Sequence, residues 1–209
     1  VLDASLRLRR VGRLVLFLCL AYNAVAVAAG LLGAVTPLVA EPGITYAIIG
    51  VDATAVYYYT YDFTMDTITI RKIGLDGGLV TTLATALRMP NGFAADASHI
   101  YYFERQSGAD PELKKLNKNG GTPTVIASHV TAAPSSFPSA LSTLDGDQLY
   151  WPGQSGSCGV VNRVSTAGGT PTVLVSELKT FSTLVVDDTD LYWAAWDNTA
   201  TGAIESLPK

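Results

Sequence analysis

Two hydrophobic rhythms divide the chain. No charged residue occurs from Leu14 to Ala40, and Leu14–Val35 is apolar almost throughout, which predicts a hydrophobic N-terminal helix. Beyond Ala40 the pattern shortens. Segments such as TITIRKI (67–73) and CGVVNRV (158–164) alternate apolar with polar residues. Alternation of period two predicts half-buried strands, because successive side chains on a strand point to opposite faces.

The second rhythm repeats. Asp52, Asp96, Asp145 and Asp187 recur at intervals of 42 to 49 residues, each after an apolar or small run. Each is followed by an apolar residue and an aromatic pair: Val56-Tyr57-Tyr58, Ile100-Tyr101-Tyr102, Leu149-Tyr150-Trp151 and Leu191-Tyr192-Trp193. Gly77-Gly78, Gly120-Gly121 and Gly168-Gly169 follow 25, 24 and 23 residues after the first three Asp, and a β-prone run follows each pair. One module therefore reads as four short strands with turns at the Asp, in a polar middle loop and at the Gly pair. Four antiparallel strands per repeat of ~40–45 residues predict a β-propeller blade. The approximate blades are 48–90, 91–138, 139–182 and 183–209 within a propeller region of 34–209.

The module resembles the YWTD repeats of low-density-lipoprotein-receptor-type propellers and, equally, NHL-type and TolB-type bacterial propellers. It departs from the first where that motif continues Thr-Asp: here the residues are Tyr59-Thr60, Phe103-Glu104, Pro152-Gly153 and Ala194-Ala195. The resemblance implies an all-β propeller and no particular ligand; the module count gives about four blades, preceded by the hydrophobic helix. A fourth Gly pair is expected near 210–212, while Thr36-Pro37-Leu38-Val39-Ala40 resembles Thr122–Ile126 and Thr170–Leu174, the last strands of modules two and three. Two readings follow: strand 34–40 completes the fourth blade and closes a small ring, or the modules belong to a larger propeller.

Charge refines the N-terminal segment. Arg7, Arg9, Arg10 and Arg13 precede the apolar run, and Ala24-Val25-Ala26 and Ala26-Val27-Ala28 offer small-residue cleavage sites. Residues 1–28 thus read as a signal peptide, with an uncleaved membrane anchor as the rival. Either way the propeller is expected outside the cytoplasm: secreted, periplasmic, or on the cell surface. Without residues 1–28 the chain keeps 10 basic and 17 acidic residues, a balance that disfavours nucleic-acid binding. The two cysteines, Cys19 and Cys158, are separated by export and have no metal-ligand spacing.

Candidate chemistry is sparse. His99 and His129 fall at turn and loop positions. Gly153-Gln154-Ser155-Gly156-Ser157 has the look of a nucleophile elbow but lacks its fifth Gly and its strand-to-helix setting. Asp52, Asp96, Asp145 and Asp187 suit turn capping better than metal binding. Tyr58, Tyr102, Trp151 and Trp193 suit core packing better than sugar stacking. The middle loops carry Asp62, Asp66, Glu104, Asp110 and Asp197, an acidic face expected to attract a basic partner or a cation, with calcium the ion to test. No catalytic residue, bound metal or cofactor is assigned. The leading expectation is a non-enzymatic binding module for a protein, peptide or glycan. The alternatives are a lactonase- or lyase-type propeller enzyme with a metal in its channel, or a fragment of a larger propeller. Self-association is expected if the ring is not closed within one chain.

Overall fold

The computed structural model describes residues 37–41, 45–88, 90–104, 110–130, 142–155, 158–178, 180–196 and 202–209. The hydrophobic segment and Asp197 lie outside the described residues. No helix among those described is long and apolar enough to cross a membrane. Two units are distinct, Val1–Ala40 and Glu41–Lys209. Of the first, residues 37–40 carry no strand.

The second unit is built from four antiparallel sheets in chain order. Sheet one comprises β1 (Thr45–Val51), β2 (Ala55–Asp62), β3 (Thr67–Gly74) and β4 (Gly77–Arg88). Sheet two comprises β5 (Asn91–Ala95), β6 (His99–Glu104), β7 (Glu112–Asn117) and β8 (Thr124–Ala127). Sheet three comprises β9 (Thr143–Asp145), β10 (Gln148–Ser155), β11 (Cys158–Ser165) and β12 (Thr172–Leu178). Sheet four has three strands, β13 (Thr180–Val186), β14 (Asp190–Trp196) and β15 (Gly202–Pro208). Every connection within a sheet is a hairpin, so each module is a meander, the form of a propeller blade.

Alternation along the second strand of each sheet divides its aromatic pair between two interfaces. Tyr57 and Tyr59 pack against Phe93, Ile100 and Tyr102 between sheets one and two. Tyr101 and Phe103 turn the other way, onto Leu149 and Trp151 of sheet three, with the Phe103 and Trp151 rings 5.3 Å apart. Tyr150 and Val161 then meet Leu184, Leu191 and Trp193 of sheet four. A sheet between two neighbours must be apolar on both faces, which is why two consecutive aromatics recur where a one-sided sheet would show one.

The turns hold these interfaces in register. Asp52, Asp96 and Asp187 each accept hydrogen bonds from the backbone N–H groups two and three residues on, at 2.6–3.1 Å. Sheet three uses a different turn: Gly146 and Asp147 link β9 to β10, with Gly146 at φ 57°, the region glycine enters without steric cost. A second repeated position follows the third strand of every sheet. Leu75, Lys118, Thr166 and Lys209 each donate a backbone N–H to the carbonyl inside their own Asp turn (Thr54, Ser98, Asp147 and Thr189). From there the side chain reaches back to the preceding sheet. Lys118 Nζ bonds Asp52 at 3.0 Å and lies 4.3 Å from the Tyr57 ring centre. Lys209 Nζ bonds Asp145. Thr166 lies in hydrogen-bonding reach of Tyr101, whose hydroxyl donates to Asp96 at 2.6 Å. In return, Lys72 and Lys115 donate to the carbonyls of Lys118 and Thr166 at 3.0 and 3.1 Å. Sheets one and two, and sheets two and three, are therefore stitched in both directions.

Candidate functional site

The hairpin connectivity sorts the loops into two sets. The first-to-second strand turns of every sheet, and the third-to-fourth turns of sheets one to three, lie at one end of the strands. The second-to-third loops and the crossings to the next sheet lie at the other. The first end, the turn face, carries the repeated Asp and Gly. The second, the loop face, carries the acids expected to form a site.

On the turn face the Asp carboxylates are fully engaged. Asp52 is held well below the ordinary carboxylate range, chiefly by the Thr54 N–H and hydroxyl and then by Lys118 and Tyr57. Asp187 is lowered to about 2 by the Thr189 and Asp190 N–H groups and by Tyr192. For Asp96, burial works to raise the value, but donation from Tyr101, Ser98 and His99 outweighs it and the net shift is downward. The same Asp96 bond, added to burial, pushes the Tyr101 phenol upward. These groups are occupied with structure.

On the loop face, Asp62 closes β2 and accepts the N–H groups of Thr64 and Met65 at 2.8 and 3.2 Å. Asp66 stands at φ 52° and accepts a short hydrogen bond from the Tyr61 hydroxyl, which raises the Tyr61 value. The two acids therefore clamp the Phe63–Met65 tip from both sides. Phe63 is 70% and Met65 73% exposed, and the Phe63 ring stands at 89° to Tyr61, with centres 4.5 Å apart. Phe63 thus keeps one edge-to-face contact with Tyr61 of its own strand, while most of its surface and that of Met65 face outward. Single apolar residues in a turn give no periodic signal, so only the structure singles them out.

Glu104 occupies a different environment. It belongs to β6 and lies part-buried against Lys114, 2.7 Å away, while its other oxygen accepts the Arg88 N–H at 3.0 Å. Glu112 shares the same lysine at 3.3 Å. Burial works to lower the Lys114 value, yet the two carboxylates outweigh it and the net shift is upward. Asp110 is exposed and meets His129 Nδ1 at 2.8 Å, with His129 at φ 52°. Asp62 and Asp66 are thus brought together on one hairpin, Glu104 joins Glu112 around Lys114, and Asp110 pairs separately. Among the described residues no three His, Cys, Asp or Glu side chains converge as metal ligands. Ser155 pairs with Cys158 across the β10–β11 hairpin, a strand-to-strand setting that no nucleophile elbow uses. Cys158 carries a free, partly buried thiol.

No protein-family model and no curated protein sequence matches the chain. Solved structures do. A puromycin-hydrolyzing peptidase of Mycobacterium tuberculosis aligns over 85% of this chain and 29% of its own, at 14% identity and a TM-score of 0.62. Prolyl oligopeptidase B from Galerina marginata, bound to a 35mer substrate, aligns over 80% and 25%, at 13% identity and a TM-score of 0.58. A chain of the nidogen/laminin complex aligns over 73% and 55%, at 18% identity and a TM-score of 0.53. The chain therefore spans from a quarter to about half the length of these proteins. At such identity the likeness concerns fold alone: the chain has a propeller-like all-β fold.

Proposed function

We propose that the protein is an exported, non-enzymatic binding module whose loop face captures a protein or peptide segment presenting apolar side chains next to a basic one. The observation that carries this reading is the β2–β3 hairpin, where exposed Phe63 and Met65 are flanked by the carboxylates of Asp62 and Asp66. An aromatic ring contributes large contact area, and a methionine adapts its shape to a partner. The flanking acids favour a lysine or arginine at the rim and steer its approach. Clamping the hairpin in advance lowers the ordering cost of binding. Export rests on the arginine-flanked apolar run Leu14–Val35.

The test is selection of a phage-displayed random peptide library on the full chain. Enriched peptides are expected to combine hydrophobic with basic residues. They should lose binding to the Phe63→Ser/Met65→Ser variant and keep it on Asp147→Asn, a change on the turn face. Enriched peptides that bind all three proteins alike, or no enrichment at all, would overturn the proposal.

A further inference from the structure

The hydrogen bonds of the β2–β3 tip decide which lone pairs its acids keep for a partner. Asp62 receives both the Thr64 and the Met65 N–H on one oxygen, Oδ1. Asp66 receives the Tyr61 hydroxyl, also on Oδ1. That bond is the chief reason the Tyr61 phenol is raised, which keeps it a donor at neutral pH. Among the described residues no donor reaches Oδ2 of either acid. Each carboxylate therefore offers one unshared oxygen, on either side in sequence of the exposed Phe63 and Met65.

Tyr61 ties the apolar and polar halves of the tip together. Its ring meets the Phe63 ring at 89°, with centres 4.5 Å apart, while its hydroxyl holds Asp66, at φ 52°. One side chain thus sets where the aromatic contact stands relative to the carboxylate. The two basic side chains would use such a carboxylate differently. Arginine presents a planar fork that matches both oxygens of one carboxylate, so it loses its best geometry where one oxygen is already bonded. Lysine presents three donors around a point charge and needs only one oxygen from each acid that it meets.

We infer, resting on the reading of this hairpin as a peptide-capturing tip, that the site selects lysine over arginine beside the apolar contact, with Tyr61 as the positioning residue that enforces the choice. The charges are exposed, so the preference is expected at about three- to fivefold in affinity. Two phage libraries test this on the full chain, one encoding lysine without arginine and the other arginine without lysine. Each enriched peptide is then synthesised in a Lys and an Arg form, and fluorescence anisotropy should find the Lys form tighter by that factor. Tyr61→Phe keeps the ring against Phe63 and releases Asp66 Oδ1. On that variant, its fold checked by circular dichroism, the Arg form should gain and the ratio approach one. Equal affinity of the two forms for the wild type would overturn the lysine preference. A Tyr61→Phe loss shared equally by both forms would overturn the role of Tyr61. Binders indifferent to Phe63→Ser/Met65→Ser, or no enrichment from either library, would instead overturn the peptide-capturing reading, and this inference with it.

Discussion

The two ends of the sheets spend their polar groups differently. On the turn face, Asp52, Asp96 and Asp187 perform the same task three times: each caps two backbone N–H groups and meets the first tyrosine of its own aromatic pair. On the loop face the described acids share no common task. Asp62 and Asp66 clamp a tip, Glu104 and Glu112 flank the part-buried Lys114, and Asp110 pairs with His129. Repetition marks the end that joins sheet to sheet, because every interface poses the same geometric problem. Variety marks the end left free to meet something else.

The largest contrast is expected between a side chain in the core and one at the tip. Trp151 is fully buried between sheets two and three. Trp151→Ala should cost about 3–5 kcal/mol in denaturant unfolding, the range for deleting a buried large aromatic. Phe63→Ala, at the exposed tip, should stay within ~0.5 kcal/mol. An equal cost at both positions would mean that the loop tip is structural.

Next come two glycines at opposite ends of the strands. A Cβ on Gly92, at φ +61°, would lie 2.6 Å from the Phe103 ring, whereas on Gly146, at φ +57°, it would meet nothing within 4 Å. Gly92→Ala should therefore cost about 2–3 kcal/mol, conformation and overlap together, and Gly146→Ala about 1 kcal/mol, conformation alone. Thermal melts of the two variants will rank them. The part-buried ion pair comes third. Lys114→Met leaves the Glu104 carboxylate, whose side chain is 12% exposed, without its cation and should cost about 1–2 kcal/mol, less than for a fully buried pair. Adding Glu104→Gln should recover most of that loss, since the penalty is an unpaired charge and not a lost contact.

Acid titration gives the smallest effect and separates the two ends by sign. The turn-face carboxylates have folded values below their unfolded ones, so their stabilisation is complete above the ordinary carboxylate range and declines as pH falls through it towards the Asp187 value of about 2. Lys114 is shifted upward, so its contribution is complete below the ordinary lysine value and is lost only as pH rises past it. Asp187→Asn should flatten the acid limb of the melting-temperature profile and leave the alkaline limb unchanged.

The repeat made the fold legible because each interface demands the same residues at the same step. The split aromatic pairs, the Gly turns and three of the four Asp turns could be placed from spacing, whereas Asp145 ends β9 and the turn after it is built on Gly146 and Asp147. The stitching between sheets was less visible: Lys118 and Asp52 stand 66 residues apart, and their meeting depends on how two sheets are superposed. A signal did exist, since Lys118 and Lys209 hold the same place in their modules, directly after the third strand. The loop face was read through charge alone. That grouped Glu104 with Asp62, although one ends a strand beside a part-buried lysine and the other pins a turn. Phe63 and Met65 left no trace, because isolated apolar residues in a turn have no period.

The claim on which the rest depends is that turn-face side chains join consecutive sheets into one cooperative body. A double-mutant cycle on Lys118→Met and Asp52→Asn, read by thermal unfolding of the full chain, tests it directly. Each single change should lower the melting temperature, and the double variant should lose clearly less than the two losses added. Strictly additive losses would contradict the account, leaving the Lys118–Asp52 contact without energetic meaning and the sheets held by their apolar faces alone.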